Sequence, residues 1–573
     1  MDVTAVSAAA RKESRNREVH LPPVSVYRWW ARRTVAVNDA ILRGVQPGVL
    51  VDPFSGGGVI PLAAIQRGWK VHAQDINPWA VHGLEVVLSL TDPERFQTAA
   101  EALRPFAEAL AERAYGTSFD DGSPARVAHT FRVAVAPCPG CGESQRLFPH
   151  AMVSALRRKD RGGEPKAWLA CSRGHLFSGR WDRTQECERC GIEVDPKAKY
   201  QPGRRVRCHC AHVGSVAERG RLSWEVVLVE RAGAGRRELG IPTCDELERA
   251  DREWPTSLDL GPISQGRETR VLRRHGFESW NDLYPARQRH VLEALLARTE
   301  GALRLAVVGS AEMAGHCSRW DRWYLKSFEA MAGHRFNFTT LTVEPNVWGT
   351  REAGRGTVRR RIRSFVKAAK WMSEAPGVAA VELGSSAHLV GLENGFADVV
   401  LTDPPYHDDV DYSALSLPLR AWAGLPTAAL VGEAIPGAGT SYRALLAGVF
   451  AECRRVLKPG GHLIFSYANR DPDAWIDLFG ALQDVGLHAS GCISVHSENE
   501  TDKSKRGINA CTQDLLLDLT SEPANEVYCQ VGGGSAEGDF LVAVAAVFGG
   551  IGKLDDDWST GLRQSLLESR FLA

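Results

Sequence analysis

The chain reads as an α/β protein with a Rossmann-like, doubly wound sheet that is split by one large insertion. Three observations predict this. GVLVDPFSGGG (Gly48 to Gly58) is a strand running into glycines, IPLAAIQRGW is a helix closed by Gly68, and KVHAQDINP (Lys70 to Pro78) is a second strand. From Gly377 the alternation resumes: VAAVEL, ADVVLTDPPY, GGHLIFSY, LHASGCISV and DLLLDLT have strand character, with FAECRRVL and DAWIDLFGALQDVG as helices. Between the two halves lies a stretch in which seven of the 13 cysteines cluster, from Cys138 to Cys210. Strands alternating with helices of this length imply a parallel sheet with crossover helices, and the two halves make sense only as one domain.

Taken in order, residues 1–20 form a polar arm, Pro22 and Pro23 force an extended entry, and Arg28 to Ile41 reads as a helix. The first half of the split domain covers 1–115, with helices from Trp79 to about Ala114. A cysteine-rich, ribbon-like stretch follows at 130–212. The stretch 213–375 is a candidate target-recognition region with helices at Pro285–Arg298 and Thr357–Met372. The second half covers 376–573, where the apolar run Phe540 to Phe548 reads as a buried strand.

Composition narrows the classes further. At 573 residues, 44% apolar and 24% charged, the chain is ordinary globular material. Its 69 basic and 69 acidic residues leave no net charge, which excludes a wholly basic nucleic-acid coat and an acidic disordered tail. No apolar run approaches the ~18–20 residues of a membrane span, and the first residues carry no signal-peptide pattern. No membrane association is expected, and the expected location is the cytoplasm.

The glycine loop DPFSGGG sits where a strand ends and a helix begins, so its backbone can approach a ligand closely. Asp75, seventeen positions after Gly58, ends the next strand and is placed to take the ribose hydroxyls of an adenosine-containing cofactor. There is no G-x-x-x-x-G-K-[ST] phosphate cradle, and a cofactor without phosphates points to S-adenosylmethionine. At the end of the fourth strand stands Asp403-Pro404-Pro405-Tyr406. The prolines remove two backbone donors and leave carbonyls free to accept. Asp403 and the carbonyl of Pro404 can accept the two hydrogens of an exocyclic amine, while Tyr406 stacks on its ring. Holding those hydrogens as the nitrogen becomes tetrahedral stabilises charge that develops in the transition state. A target base within a duplex must first be flipped out.

DPFSGGG, DINP and DPPY resemble motifs I, II and IV of amino-group DNA methyltransferases, whose N6-adenine members typically carry DPPY. PPVSVYRWWARR, FESWNDLYPARQ (Phe277 to Gln288), FNFTTLTVEPNVWG, DPPYHDDVDYSALS and CRRVLKPGGHLIFSYANRDPDAW are similar to zinc-ribbon-containing adenine-specific DNA methylases. The resemblance implies an S-adenosylmethionine-dependent methyltransferase fold, cofactor contact by Asp52, Phe54, Gly56, Gly58 and Asp75, and catalysis by Asp403, Pro404 and Tyr406. The order of the motifs is like the alpha arrangement of these enzymes. The expected activity is methyl transfer to adenine N6 in DNA, in restriction–modification or phage defence, with DNA and defence-system subunits as partners. At Gly384 to Leu389 relatives often show an acidic residue after the glycine, and this chain has GSSAHL. An RNA or cytosine-N4 methyltransferase would share nearly every motif. A non-catalytic DNA-binding subunit that keeps the fold is the alternative from another class.

The paired cysteines point to structural zinc, one or two ions, because a reducing cytosol disfavours disulfides. Cys138-x2-Cys141 with Cys171-x3-His175 supplies four soft ligands in two close pairs, which suits tetrahedral zinc with no open position. Cys187-x2-Cys190 with Cys208-x-Cys210 forms a second set, for which His209 and His212 compete. Cys244, Cys317, Cys453, Cys492, Cys511 and Cys529 have no partner in sequence. Phosphate contact is expected from the basic run Arg351 to Lys370 or from the ribbon's Arg157, Arg158, Lys159, Arg161, Arg204, Arg205 and Arg207. A solvated helix face explains the first of these equally well.

Overall fold

The computed structural model describes the chain except residues 16–19, 31, 314, 332–334, 405–410, 429, 431, 433–439, 497–510, 556, 570, 572 and 573. Its residues divide into two compact units. The first comprises Met1–Pro93, Ser364–Ser413 and Ala428–Ala573, and the second Glu94–Arg363 and Ala414–Thr427. The division differs from the sequence expectation: most of 130–212 and 213–375 belongs to one unit. A single long strand accounts for this. Pro124–Pro137 pairs antiparallel with both Ser223–Gly233 and Leu341–Pro345, so strands before and after the cysteine-rich stretch share one sheet.

The first unit is built on β1 (Val49–Asp52), β2 (Lys70–Asp75), β3 (Val378–Leu383), β4 (Ala397–Thr402), β5 (Leu457–Tyr467), β6 (His488–His496), β7 (Gln513–Thr520) and β8 (Tyr528–Gln530). They lie in the order β3-β2-β1-β4-β5-β7-β6-β8. The first five pair in parallel, whereas β7 runs antiparallel to both β5 and β6. The sheet is therefore mixed, where the sequence pattern suggested an all-parallel one. Consecutive strands that pair antiparallel need no crossover helix, so β6 and β7 break the alternation. The middle of the sheet is inaccessible: Leu50, Val51, Val400 and Leu401 are buried, as expected where both faces are covered.

The helices of this unit are α1 (Val3–Arg15), α2 (Val35–Arg43), α3 (Val59–Ile65), α4 (Pro78–Leu88), α5 (Thr440–Val456), α6 (Pro472–Asp484), α7 (Ala536–Phe548) and α8 (Trp558–Leu567). Tyr442, Leu446, Val449, Phe450 and Cys453 give α5 a helical apolar stripe, which packs with Trp475, Leu478, Phe479 and Leu482 of α6. Two sequence expectations are corrected. Phe540 to Phe548 is the end of a helix, because Ser535 caps it by accepting from the Gly538 amide at 3.0 Å. Its buried residues Phe540, Leu541, Val544, Ala545 and Phe548 follow a 3.6-residue period. The helix expected from Arg28 starts only at Val35. The Glu13 carboxylate accepts from the Val35 and Ala36 amides at 2.8 and 3.0 Å and fixes that start. Cys492 and Cys529, unpartnered in sequence, face each other across β6 and β8 and form a disulfide.

The second unit centres on a buried ion-pair network. Glu344, wholly buried, accepts from Arg287 Nε at 2.9 Å and Arg132 Nε at 3.1 Å, and Arg287 also donates to Thr130 Oγ1 at 2.7 Å. Arg287 and Gln288 close the FESWNDLYPARQ segment, and Gln288 in turn accepts from the Gly315 amide and donates to the Met313 carbonyl. That segment is thus a framework element of its unit. Among the described residues no helix is long and apolar enough to cross a membrane.

Candidate functional site

The strand order turns at β1, with β2 and β3 on one side and β4 and β5 on the other. In open α/β sheets ligands bind in the crevice at such a point, beyond the carboxyl ends of the strands. Asp52 ends β1, Asp75 ends β2, Asp403 follows β4, and Ser466 lies near the end of β5. The sequence therefore brings its acidic candidates to one rim of one sheet.

Gly56 and Gly58 shape the loop after β1. Gly58 has φ +73° and caps α3, and a Cβ there would stand 2.7 Å from Leu84. A Cβ on Gly56, φ +44°, would stand 2.7 Å from the Trp29 ring nitrogen. Both conformations are costly for any residue with a Cβ. The loop is held from below by Asp75, whose oxygens accept from the Gly56 amide and the Asn77 amide, each at 2.8 Å. Tyr27 donates to the Gly56 carbonyl at 3.2 Å. Trp29 covers the loop and stacks on Tyr412, ring centroids 5.1 Å apart and nearly parallel. Phe54 is half-buried against the core.

Asp52 is buried, and Oδ1 accepts from Thr402 Oγ1 at 2.8 Å and the Phe54 amide at 3.2 Å. Burial pushes its carboxyl up to about 8, against the pull of those two hydrogen bonds and with help from the charges of Asp75 and Asp403. Its Oδ2 and the Ser55 hydroxyl are buried without a hydrogen-bond partner among the described residues. Orphaned polar atoms at this point of the sheet fit a ligand that carries donors or positive charge.

Asp403 is clamped on both oxygens. Ser466 Oγ donates to Oδ1 and Arg33 Nε to Oδ2, each at 2.9 Å, and Arg33 Nη1 also reaches the buried Asp514 at 2.7 Å. Pro404 is buried beside it. Tyr406 and Pro405 lie outside the described residues. Ser466 and Thr402 were not among the residues singled out in sequence, and Arg33 stood out only within the stretch PPVSVYRWWARR, with no link to Asp403. The available signal was position, since a polar residue at the carboxyl end of a strand next to β4 faces the same crevice.

No known family matches the chain, and no curated protein matches it. Among solved structures it is similar to a geranyl diphosphate methyltransferase in complex with GPP and sinefungin, at 13% sequence identity and a TM-score of 0.16. That likeness covers 30% of this chain and 61% of the other, so the match spans less than two thirds of its length.

The cysteine ligands of the second unit come together in two clusters, with a pairing that corrects the sequence expectation. Cys138 and Cys141 join Cys208 and Cys210, while Cys171 and His175 join Cys187 and Cys190. The arrangement is nested: the outer two pairs meet, and the inner two meet inside them. Each pair sits at a turn beside short strands, and those around Lys166–Ala170/Leu176–Arg180 and Gln185–Glu186/Glu193–Val194 are neighbours in the chain. That proximity favours pairing of the inner two. In the outer cluster the Sγ–Sγ separations Cys138–Cys210 and Cys141–Cys208 are both 3.7 Å; in the inner, Cys171–Cys190 is 3.8 Å and Cys187 Sγ to His175 Nδ1 3.8 Å. A zinc tetrahedron with Zn–S of about 2.3 Å has edges of about 3.8 Å. Both donor sets therefore fit zinc, and the Gly140 amide donates to Cys138 Sγ at 3.4 Å.

The basic run near the Val358–Ser373 helix is partly consumed within the second unit. Arg355 pairs with Glu329, Arg359 with Glu108 and Arg361 with Glu312. Arg351, Arg360, Arg363, Lys367 and Lys370 are exposed.

Proposed function

We propose that this chain is an S-adenosylmethionine-dependent methyltransferase acting on adenine N6 in DNA. The observation that carries the reading is the convergence at one sheet rim of the DPFSGGG loop, Asp75 and Asp403, with Asp403 and Pro404 following the strand next to β1. The mixed sheet, five parallel strands followed by a reversed one, supports a Rossmann-like methyltransferase fold. Asp52, the Gly56–Gly58 loop and Asp75 would hold S-adenosylmethionine, with Phe54 walling the loop, and the bound cofactor supplies a sulfonium methyl group. Asp403 and the Pro404 carbonyl would accept the amine hydrogens, and Tyr406 would take the ring face. Arg33 and Ser466 fix the Asp403 carboxylate, so its oxygens need little reorganisation as charge develops. Zinc at the two clusters is structural in this reading. A restriction–modification or phage-defence role, with DNA and defence-system subunits as partners, rests on the sequence resemblance.

The test is methyl transfer from labelled S-adenosylmethionine to unmethylated genomic DNA, read by nucleoside mass spectrometry, with Asp403→Ala alongside. N6-methyladenine that disappears in the variant is the expected result. A chain that binds the cofactor yet leaves DNA unmodified, or yields N4-methylcytosine, overturns it.

A further inference from the structure

A cavity of about 470 Å³ opens in the second unit, lined by Arg221, Arg273 and Arg274 together with Glu278 and Asp282. All three arginines are exposed. Among the described residues no carboxylate pairs with any of them. Arg273 Nη1 donates to the Ile263 carbonyl at 2.7 Å, which orients the group without neutralising it. Asp282 is engaged in the turn: its Oδ2 accepts from the Glu278 and Ser279 amides, each at 2.9 Å. No aromatic ring lines the cavity.

The walls are fixed by neighbouring structure. Ser215 ends the hairpin strand that follows Cys208 and Cys210, and it caps the turn Val216–Arg219 through a reciprocal pair of bonds with Glu218. Arg219, buried, anchors that turn to the Pro137 carbonyl and Gln145. Gly220 and Arg221 come next. The opposite wall meets them at Gly276, where a Cβ would lie 3.5 Å from Arg221 Cα. Arg204, in the turn before the outer cluster, also lies near: after burial, its charge and that of Arg274 hold His275 down at about 4.

We propose that this arginine-lined cleft binds the phosphodiester backbone of duplex DNA. Guanidinium forks match phosphate oxygens in geometry and charge, and the cleft holds no aromatic ring, the usual platform for an unpaired base. Its size suits a backbone segment better than a lone ion. The proposal rests on the nucleic-acid part of the proposed function and not on methyl transfer.

The experiment measures binding of the full zinc-loaded chain to a labelled DNA duplex by fluorescence anisotropy over a series of salt concentrations. The variants are a triple Arg221→Ala/Arg273→Ala/Arg274→Ala and a triple replacement of the same arginines by lysine. Each phosphate contact contributes about 0.9 to the slope of log affinity against log salt. The alanine variant should therefore lose about two to three from that slope, and the lysine variant should keep most of it. Zinc content and the melting transition check that both variants fold. A folded alanine variant with the wild-type slope overturns the proposal, as does a wild-type chain whose binding to duplex DNA has no salt dependence. A lysine variant that loses as much as the alanine one overturns it too, since charge in the cleft is then not what the salt reports. A wild-type chain that binds duplex DNA with a steep slope but transfers no methyl group sinks the proposed function and leaves the cleft standing.

Discussion

Asp52 combines full burial, one well-bonded oxygen and one orphaned oxygen at the turn of the sheet. Its folded pKa, about 8, lies above its unfolded value of 3.8, so the neutral form is the one that folding favours. The stabilisation is fully present below about pH 4 and is lost as pH rises through about 8. Asp52→Asn stays neutral throughout, and its melting temperature should gain on the wild type as pH moves from 5 to 9; a constant difference across that range refutes the argument. At this scale the positions of Asp52, Asp75 and Asp403 were legible, because each stands at the end of a strand whose apolar run and following turn residues are plain in sequence. The sequence was silent on the partners of Arg33, since Asp403 and Asp514 lie hundreds of positions away and carry no local pattern.

Among elements, the two cysteine clusters carry the sharpest prediction, because nested and sequential pairings differ in what a double variant loses. Cys138→Ser with Cys208→Ser removes two ligands from one cluster, and one zinc per chain should disappear in a metal assay. Cys138→Ser with Cys171→Ser should cost both ions. Sequential pairing reverses the two outcomes. Spacing alone could not choose, since all four ligand pairs are short and any two of them make a tetrahedral zinc-type donor set, and only the register of the intervening hairpins brings the inner pairs together. The strands from Val49 to Asp75 and from Val378 to Thr520 were legible because apolar period and turn residues agreed, whereas the helix Val3–Arg15 was hidden in a polar stretch that read as an arm. Phe540 to Phe548 was not legible either: an unbroken apolar run has no period of its own, and the deciding signal was the cap at Ser535.

Across the whole molecule, each unit depends on contacts between distant stretches of chain. In the second unit these converge on Glu344. Burial raises its carboxyl, but Arg287 and Arg132 outweigh this and hold it below the usual range. Its stabilisation is therefore present above the unfolded pKa near 4.5 and lost as pH falls through the lower folded value. Glu344→Gln leaves buried Arg287 without its counter-charge and Arg132 with Asp251 alone, and should cost about 3–5 kcal/mol in denaturant unfolding of that unit; a loss below about 1 kcal/mol contradicts the network's role. In the first unit the dependence falls on β1, whose neighbours are β2, made almost at once, and β4, encoded several hundred residues later. At roughly 5–20 residues per second of synthesis, β1 waits tens of seconds for its second neighbour. Through that interval Leu50 and Val51 stand on an open strand edge, which other chains can pair with. The splitting of the sheet thus sets a clock for the newborn chain, and the ribosome-bound stage is when it most needs shielding.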